Sequence, residues 1–92
     1  MPERVRHAIG VELMIVQLGG TPVDFKPIAS IGAGACEIRV RDVGGAFRTV
    51  YVTKFVDAIY VLHAFQKKSQ KTAKSDLDLA RRRYKLIPGA KP

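Results

Sequence analysis

Residues 47–68 read FRTVYVTKFVDAIYVLHAFQKK. Their β-branched and aromatic content predicts two strands, 46–55 and 58–65, with Val56-Asp57 turning the chain between them. Phe47, Val50, Tyr51, Val52 and Phe55 give the first strand its apolar bulk. The near-continuous apolar run from Ile59 to Leu62 is that of a central strand covered on both faces. Arg48 lies on the first strand. His63, Lys67 and Lys68 lie at the end of the second, so positive charge gathers at one end of the pair.

Working upstream, residues 35–41 (ACEIRVR) alternate. Cys36, Ile38 and Val40 point one way, and Glu37, Arg39 and Arg41 the other. Asp42-Val43-Gly44-Gly45 is a turn signal. Short connections make the three strands an antiparallel meander. Residues 20–35, with two prolines and several small residues, read as a connector pinned by Phe25, Ile28 and Ile31. Gly32-Ala33-Gly34 lacks the Lys-Ser/Thr of a phosphate loop and leads into a strand, so a P-loop is rejected. Residues 3–18 predict a helix, with Val5, Ile9, Leu13 and Val16 on one face. Val11, Met14, Ile15 and Leu18 widen that face, so much of the helix is expected to be buried. Gly19-Gly20 ends it. Gly10 inside it costs about 1 kcal/mol relative to alanine and would permit a close packing contact.

Downstream, residues 66–74 (QKKSQKTAK) form a loop carrying Lys67, Lys68, Lys71 and Lys74. Such runs are usually solvated. This one follows the His63 strand and adds to Arg39, Arg41 and Arg48, giving a clustered basic site. Residues 75–87 predict a second helix, with Ser75 as N-cap and Asp76 and Asp78 in its positive first turn. Leu77, Ala80, Tyr84 and Ile87 form its buried stripe, and Pro88-Gly89 stops it.

The class is therefore α+β: one domain over residues 1–92, an antiparallel-rich sheet packed against an N-terminal and a C-terminal helix. A chain of 92 residues buries roughly 60–65% of its unfolded surface, an adequate core but not a large one. The net charge of +8 points to a polyanionic partner, though a basic surface alone would give the same figure. Cys36 is the single cysteine, which fits a reducing compartment and excludes an internal disulfide. No run of about 18 apolar residues is present, and the N-terminus lacks a signal-peptide pattern, so a cytoplasmic location is expected. Two distant histidines and one cysteine make no zinc site, and no cofactor is implied. His7 reads as a solvated residue. Strand parity groups His63 with Ile59, Val61 and Phe65, a core-facing set; a structural histidine and a proton-transferring one remain equal readings.

The strings VQLGGTP, GAGACEIRVRD, FRTVYV, IYVLHAFQKKSQKT and DLDLARRR resemble the phage-derived, HigB-like branch of the RelE/ParE toxin superfamily over nearly the whole chain. IYVLHAFQKKSQKT is the string most specific to that branch. The resemblance implies a small basic toxin of a type II toxin–antitoxin system that cleaves messenger RNA on the ribosome without metal. It implies catalytic roles for Arg48, His63, Lys67 and Lys68, and RNA-binding roles for Arg39, Arg41, Lys71 and Lys74. It further implies a cognate antitoxin, helix-turn-helix in type, that covers or distorts the basic site, with assembly as a homodimer or a toxin–antitoxin hetero-oligomer. The superfamily also contains ParE-type gyrase poisons, and a non-catalytic basic RNA- or protein-binding domain is a third reading. The chain begins inside the family's first helix, so a strand used by relatives is missing and an unpaired sheet edge is expected. A tyrosine that some RelE-type members place after the last strand has no counterpart in residues 69–75.

The expected chemistry is attack of a 2′-hydroxyl on the adjacent phosphate. Fixed cations stabilise the extra negative charge of the phosphorane, and a histidine or a lysine of lowered pKa moves protons. Arg48, fixed on a strand, is expected to be the main stabiliser and to be removable without loss of the fold.

Overall fold

In the computed structural model, residues 2–53, 59–67 and 72–87 are described. They form α1 (Glu3–Gln17), β1 (Phe25–Pro27), β2 (Ala35–Asp42), β3 (Gly45–Val52), β4 (Tyr60–Lys67) and α2 (Lys74–Lys85). The strands make one antiparallel sheet in the order β1-β2-β3-β4. Phe55, Val56-Asp57, Lys68, Lys71 and Pro88-Gly89 lie outside the described residues.

The register sorts the side chains, because directly opposed residues of neighbouring strands project to the same face. Arg39 opposes Arg48, which opposes Phe65; Glu37 opposes Val50, which opposes His63. Lys26 opposes Glu37, and Lys67 opposes Ala46. All of these share one face. Ile38, Val40, Phe47, Thr49 and Tyr51 occupy the other. Each face takes one helix. Val5 and Ile9 of α1 pack on Phe47, with Leu13 and Val40 at the margin. Ala80, Tyr84 and Ile87, close to the C-terminal end of α2, pack on Val50, Val52, Leu62 and Phe65. The stripe expected on the second helix is thus the one that is buried, with Leu77 partly so.

Several local expectations change. The connector contains β1, three residues paired with Cys36, Glu37 and Ile38. Such a strand is too short to show a period, and its Pro27 is tolerable because the strand is at the sheet edge. The central strand by burial is β3, whose last six residues are all buried, and β4 is at the edge among the described residues. The Ile59–Leu62 run misled because β4 carries an irregularity: His63 opposes Val50, but Val61 opposes Tyr51. The extra residue, Leu62, turns into the α2-side core, while Val61 moves to the α1 side and is 51% exposed. His63 therefore keeps Phe65 as a face-mate and loses Val61. The first helix is less buried than expected, with only Val5 and Ile9 inside. Ser75 does not cap the second helix, which starts at Lys74 after Ala73 without a side-chain cap.

Gly32 has a packing role in place of a phosphate-binding one. Tyr84, 2% exposed, donates its hydroxyl to Ala33 O at 2.8 Å. Its ring lies so close over Gly32 that a Cβ there would overlap it. Gly32→Ala is expected to lower stability by about 1–3 kcal/mol, the usual cost of overpacking. Urea denaturation with an unchanged slope and a lower midpoint would show it; an unchanged midpoint would mean that the ring yields without cost.

Candidate functional site

α2 covers the β3–β4 side of its face and leaves the β1–β2 side open. The gap is a cleft of about 570 Å³ lined by Lys26, Ser30, Glu37, Lys67, Thr72 and Leu77, among others. Lys26 comes from β1, Glu37 from β2, Lys67 from the last position of β4 and Leu77 from the first turns of α2. Strand alternation carries the three charged groups to the same face; the register sets Lys26 directly opposite Glu37, while Lys67, which opposes Ala46, reaches the cleft from the far end of β4.

The cleft wall contains a buried ion pair. Arg48 Nη1 donates to Glu37 Oε1 at 2.6 Å, and the two side chains are 10% and 1% exposed. Neither charge would be stable there alone, because several kcal/mol per ion is lost on leaving water. Arg48 Nε is buried without a hydrogen-bond partner. Lys67 sits beside this pair. Burial first, then the Arg48 charge, pull its pKa below the usual lysine value; Glu37 opposes them, while Lys26 and Arg39 add to the lowering.

The other sequence-predicted residues divide clearly. Arg39 shares the face but is held by Asp24, with Nη2 2.7 Å and Nε 2.9 Å from Oδ1. Arg41 shares the face, is exposed and has no ion pair among the described residues. The neighbouring Asp42 is engaged by Arg4 through two bonds of 2.7 Å, and that guanidinium holds the Asp42 carboxyl below the usual range. His63 does not line the cleft. Its Nε2 lies 2.7 Å from Asp76 Oδ1 and its ring stacks on Phe65, tying β4 to the first turn of α2. Lys74 is exposed at the start of α2; Lys68 and Lys71 fall outside the described residues.

Two cleft residues were missed by sequence reading. Lys26 was hidden in the connector. Glu37 was read as one of three polar residues on a strand face, yet a lone carboxylate followed at equal parity by two arginines, Arg39 and Arg41, is the pattern of a charge awaiting a partner. Among the described residues, no group of three or more His, Cys, Asp or Glu side chains is placed to hold a metal ion.

The family model "Phage derived protein Gp49-like (DUF891)" matches residues 1–85. No curated protein and no solved structure matches the chain.

The buried pair changes what substitution of Arg48 should do. Arg48→Ala strands the Glu37 carboxylate, and Glu37→Ala strands the guanidinium. Each is expected to cost about 3–5 kcal/mol, whereas the double replacement Glu37→Leu/Arg48→Met should recover most of the loss. Denaturation of all four proteins checks this; a stable Arg48→Ala would show that the pair does not hold the fold.

Proposed function

This chain belongs to the Gp49-like family of phage-derived proteins, and on that premise we propose that it is the toxin of a type II toxin–antitoxin system, acting as a ribosome-dependent messenger-RNA endoribonuclease. The family membership is compatible with a toxin. The observation that carries the enzymatic part is the cleft, where Lys26 and Lys67 flank the Glu37–Arg48 pair.

In this reading the RNA backbone enters along the open half of the sheet. Arg41, whose charge is unengaged, holds a phosphate, and Arg39 does so more weakly because Asp24 already occupies it. The scissile phosphate sits between Lys26 and Lys67. The 2′-hydroxyl oxygen bonds to the adjacent phosphorus and its proton passes to Glu37. The phosphorus–O5′ bond breaks, and Lys67 gives a proton to the departing 5′ oxygen. The products are a 2′,3′-cyclic phosphate and a 5′-hydroxyl. Lys26 stabilises the added negative charge, as a donor present before the reaction, and the buried Arg48 holds Glu37 in place behind it. Lys67 suits the proton transfer because its pKa is drawn down toward the working pH. His63 supports the site by anchoring α2. The ribosome supplies the substrate, and a cognate antitoxin of helix-turn-helix type restrains the toxin.

Single-turnover cleavage on programmed ribosomes tests this. Lys67→Ala should slow cleavage by about 10²–10⁴-fold, as for loss of a general acid. Because the Lys67 pKa is lowered, its protonated form is lost earlier as pH rises. The alkaline limb of the rate profile should therefore fall below the ordinary lysine range, and Lys67→Arg should move it upward. Arg41→Ala should reduce the salt slope of RNA binding by about one phosphate contact, and Arg39→Ala by less. Wild-type cleavage by Lys67→Ala, or a DNA-damage response with translation intact on induction, would overturn the reading.

A further inference from the structure

The cleft has two halves of different chemistry. Lys26, Glu37 and Lys67 supply one, and the proposed reaction uses all three. Ile28, Ala29 and Leu77 line the other, and the reaction as written gives them nothing to do. The volume of about 570 Å³ lies within the roughly 300–1,000 Å³ of small-molecule sites, so a phosphate group alone would leave most of it unfilled. The apolar half is also held in place. Ile28 and Leu77 are partly buried against the core beneath α2. The Ile28 N–H donates to Ala35 O at 2.9 Å, the Ile31 N–H donates to Ile28 O at 3.2 Å, and Arg81 Nε donates to Ser30 O at 3.0 Å. Ala29, within this tethered segment, is exposed. It lies three residues beyond Lys26, at most about 11 Å along the chain, the scale of one nucleotide.

We propose that the apolar half seats the base of an unstacked nucleotide whose phosphate lies between Lys26 and Lys67. The proposal rests on the nuclease reading, which puts the phosphate there, and adds what the substrate must be: a nucleotide free of a partner strand. In RNA a base is joined to every phosphate through one sugar, so a phosphate held in the charged half delivers a base to the cleft. A base inside a duplex has both faces stacked on its neighbours and would leave the aliphatic walls facing water. An unstacked base removes its own face and theirs from water together. Recognition of splayed bases in single strands is the general route to reading RNA, because the grooves of its duplex hide the base edges. Walls tethered before binding suit this role, since little freedom is lost when the base arrives.

The probes are the four nucleoside 5′-monophosphates and ribose 5-phosphate, which carries the same sugar and phosphate without a base. Each is titrated into the full chain and followed by amide chemical shifts. At least one nucleotide should bind about fivefold or more tighter than ribose 5-phosphate, the gain expected from burying part of a ring face. It should also move the Ala29 and Leu77 amides further than ribose 5-phosphate does. Leu77→Asn removes an apolar wall. Ala29→Trp, at an exposed position, fills the seat without adding charge. Each should bring nucleotide affinity down to that of ribose 5-phosphate and leave the latter unchanged. Equal affinity of ribose 5-phosphate and every nucleotide for the wild-type chain overturns the proposal. So does a nucleotide gain undiminished in both variants, or no binding by any nucleotide. Binding needs no turnover. Equal affinities with cleavage intact therefore remove the base seat alone, and a nucleotide gain without cleavage removes the nuclease chemistry alone.

Discussion

A four-stranded sheet has two faces to cover, and the described residues supply one helix for each. Everything else follows from that shortage. α2 is 12 residues long, about 18 Å at 1.5 Å per residue, and it shields mainly β3 and β4. The β1–β2 half of its face must therefore be wet or internally neutralised. Glu37 and Arg48 sit at the boundary and are neutralised by each other. Lys26 and Arg41 sit beyond it. The cleft is what a short helix leaves when it is laid over a wider sheet, and its charge reflects which residues can tolerate that border.

The distribution of acids makes the basic surface selective. Asp24 holds Arg39, Asp42 holds Arg4, Asp76 holds His63 and Asp78 holds Arg81. Most of these pairs are at least partly exposed and each adds little stability. Their effect is to neutralise particular arginines, so that among the described residues Lys26, Lys67 and Arg41 are the cations of the sheet face without an ion pair. A net charge of +8 thus becomes a directed field more than a diffuse one.

The fold was legible wherever one period persisted for several turns or residues. The Ala80-Tyr84-Ile87 stripe and the alternation of ACEIRVR both correspond to observed faces. What escaped was short or irregular. Three residues of β1 carry no period. One extra residue at Leu62 reverses the parity on which the grouping of Val61 with His63 depended. The N-terminal helix meets the sheet on the Val5-Ile9-Leu13 side that the spacing predicts, but its further apolar residues Val11, Met14 and Leu18 are exposed, because an apolar residue off the contact stripe has nothing to pack on. At the candidate site, the basic residues were visible as a composition, but the burial of Arg48 was not. Burial of an arginine depends on a carboxylate 11 residues away, brought alongside only by the register of two strands.

The clamp between α2 and the connector also orders events in time. Arg81 Nε bonds to Ser30 O and the Tyr84 hydroxyl to Ala33 O, each across 51 residues of chain. Ser30 is part of the cleft wall. Chains emerge from synthesis N-terminus first, so the meander can pair while this wall still lacks its fastener. The cleft takes its final shape only after residue 84 is outside the ribosome.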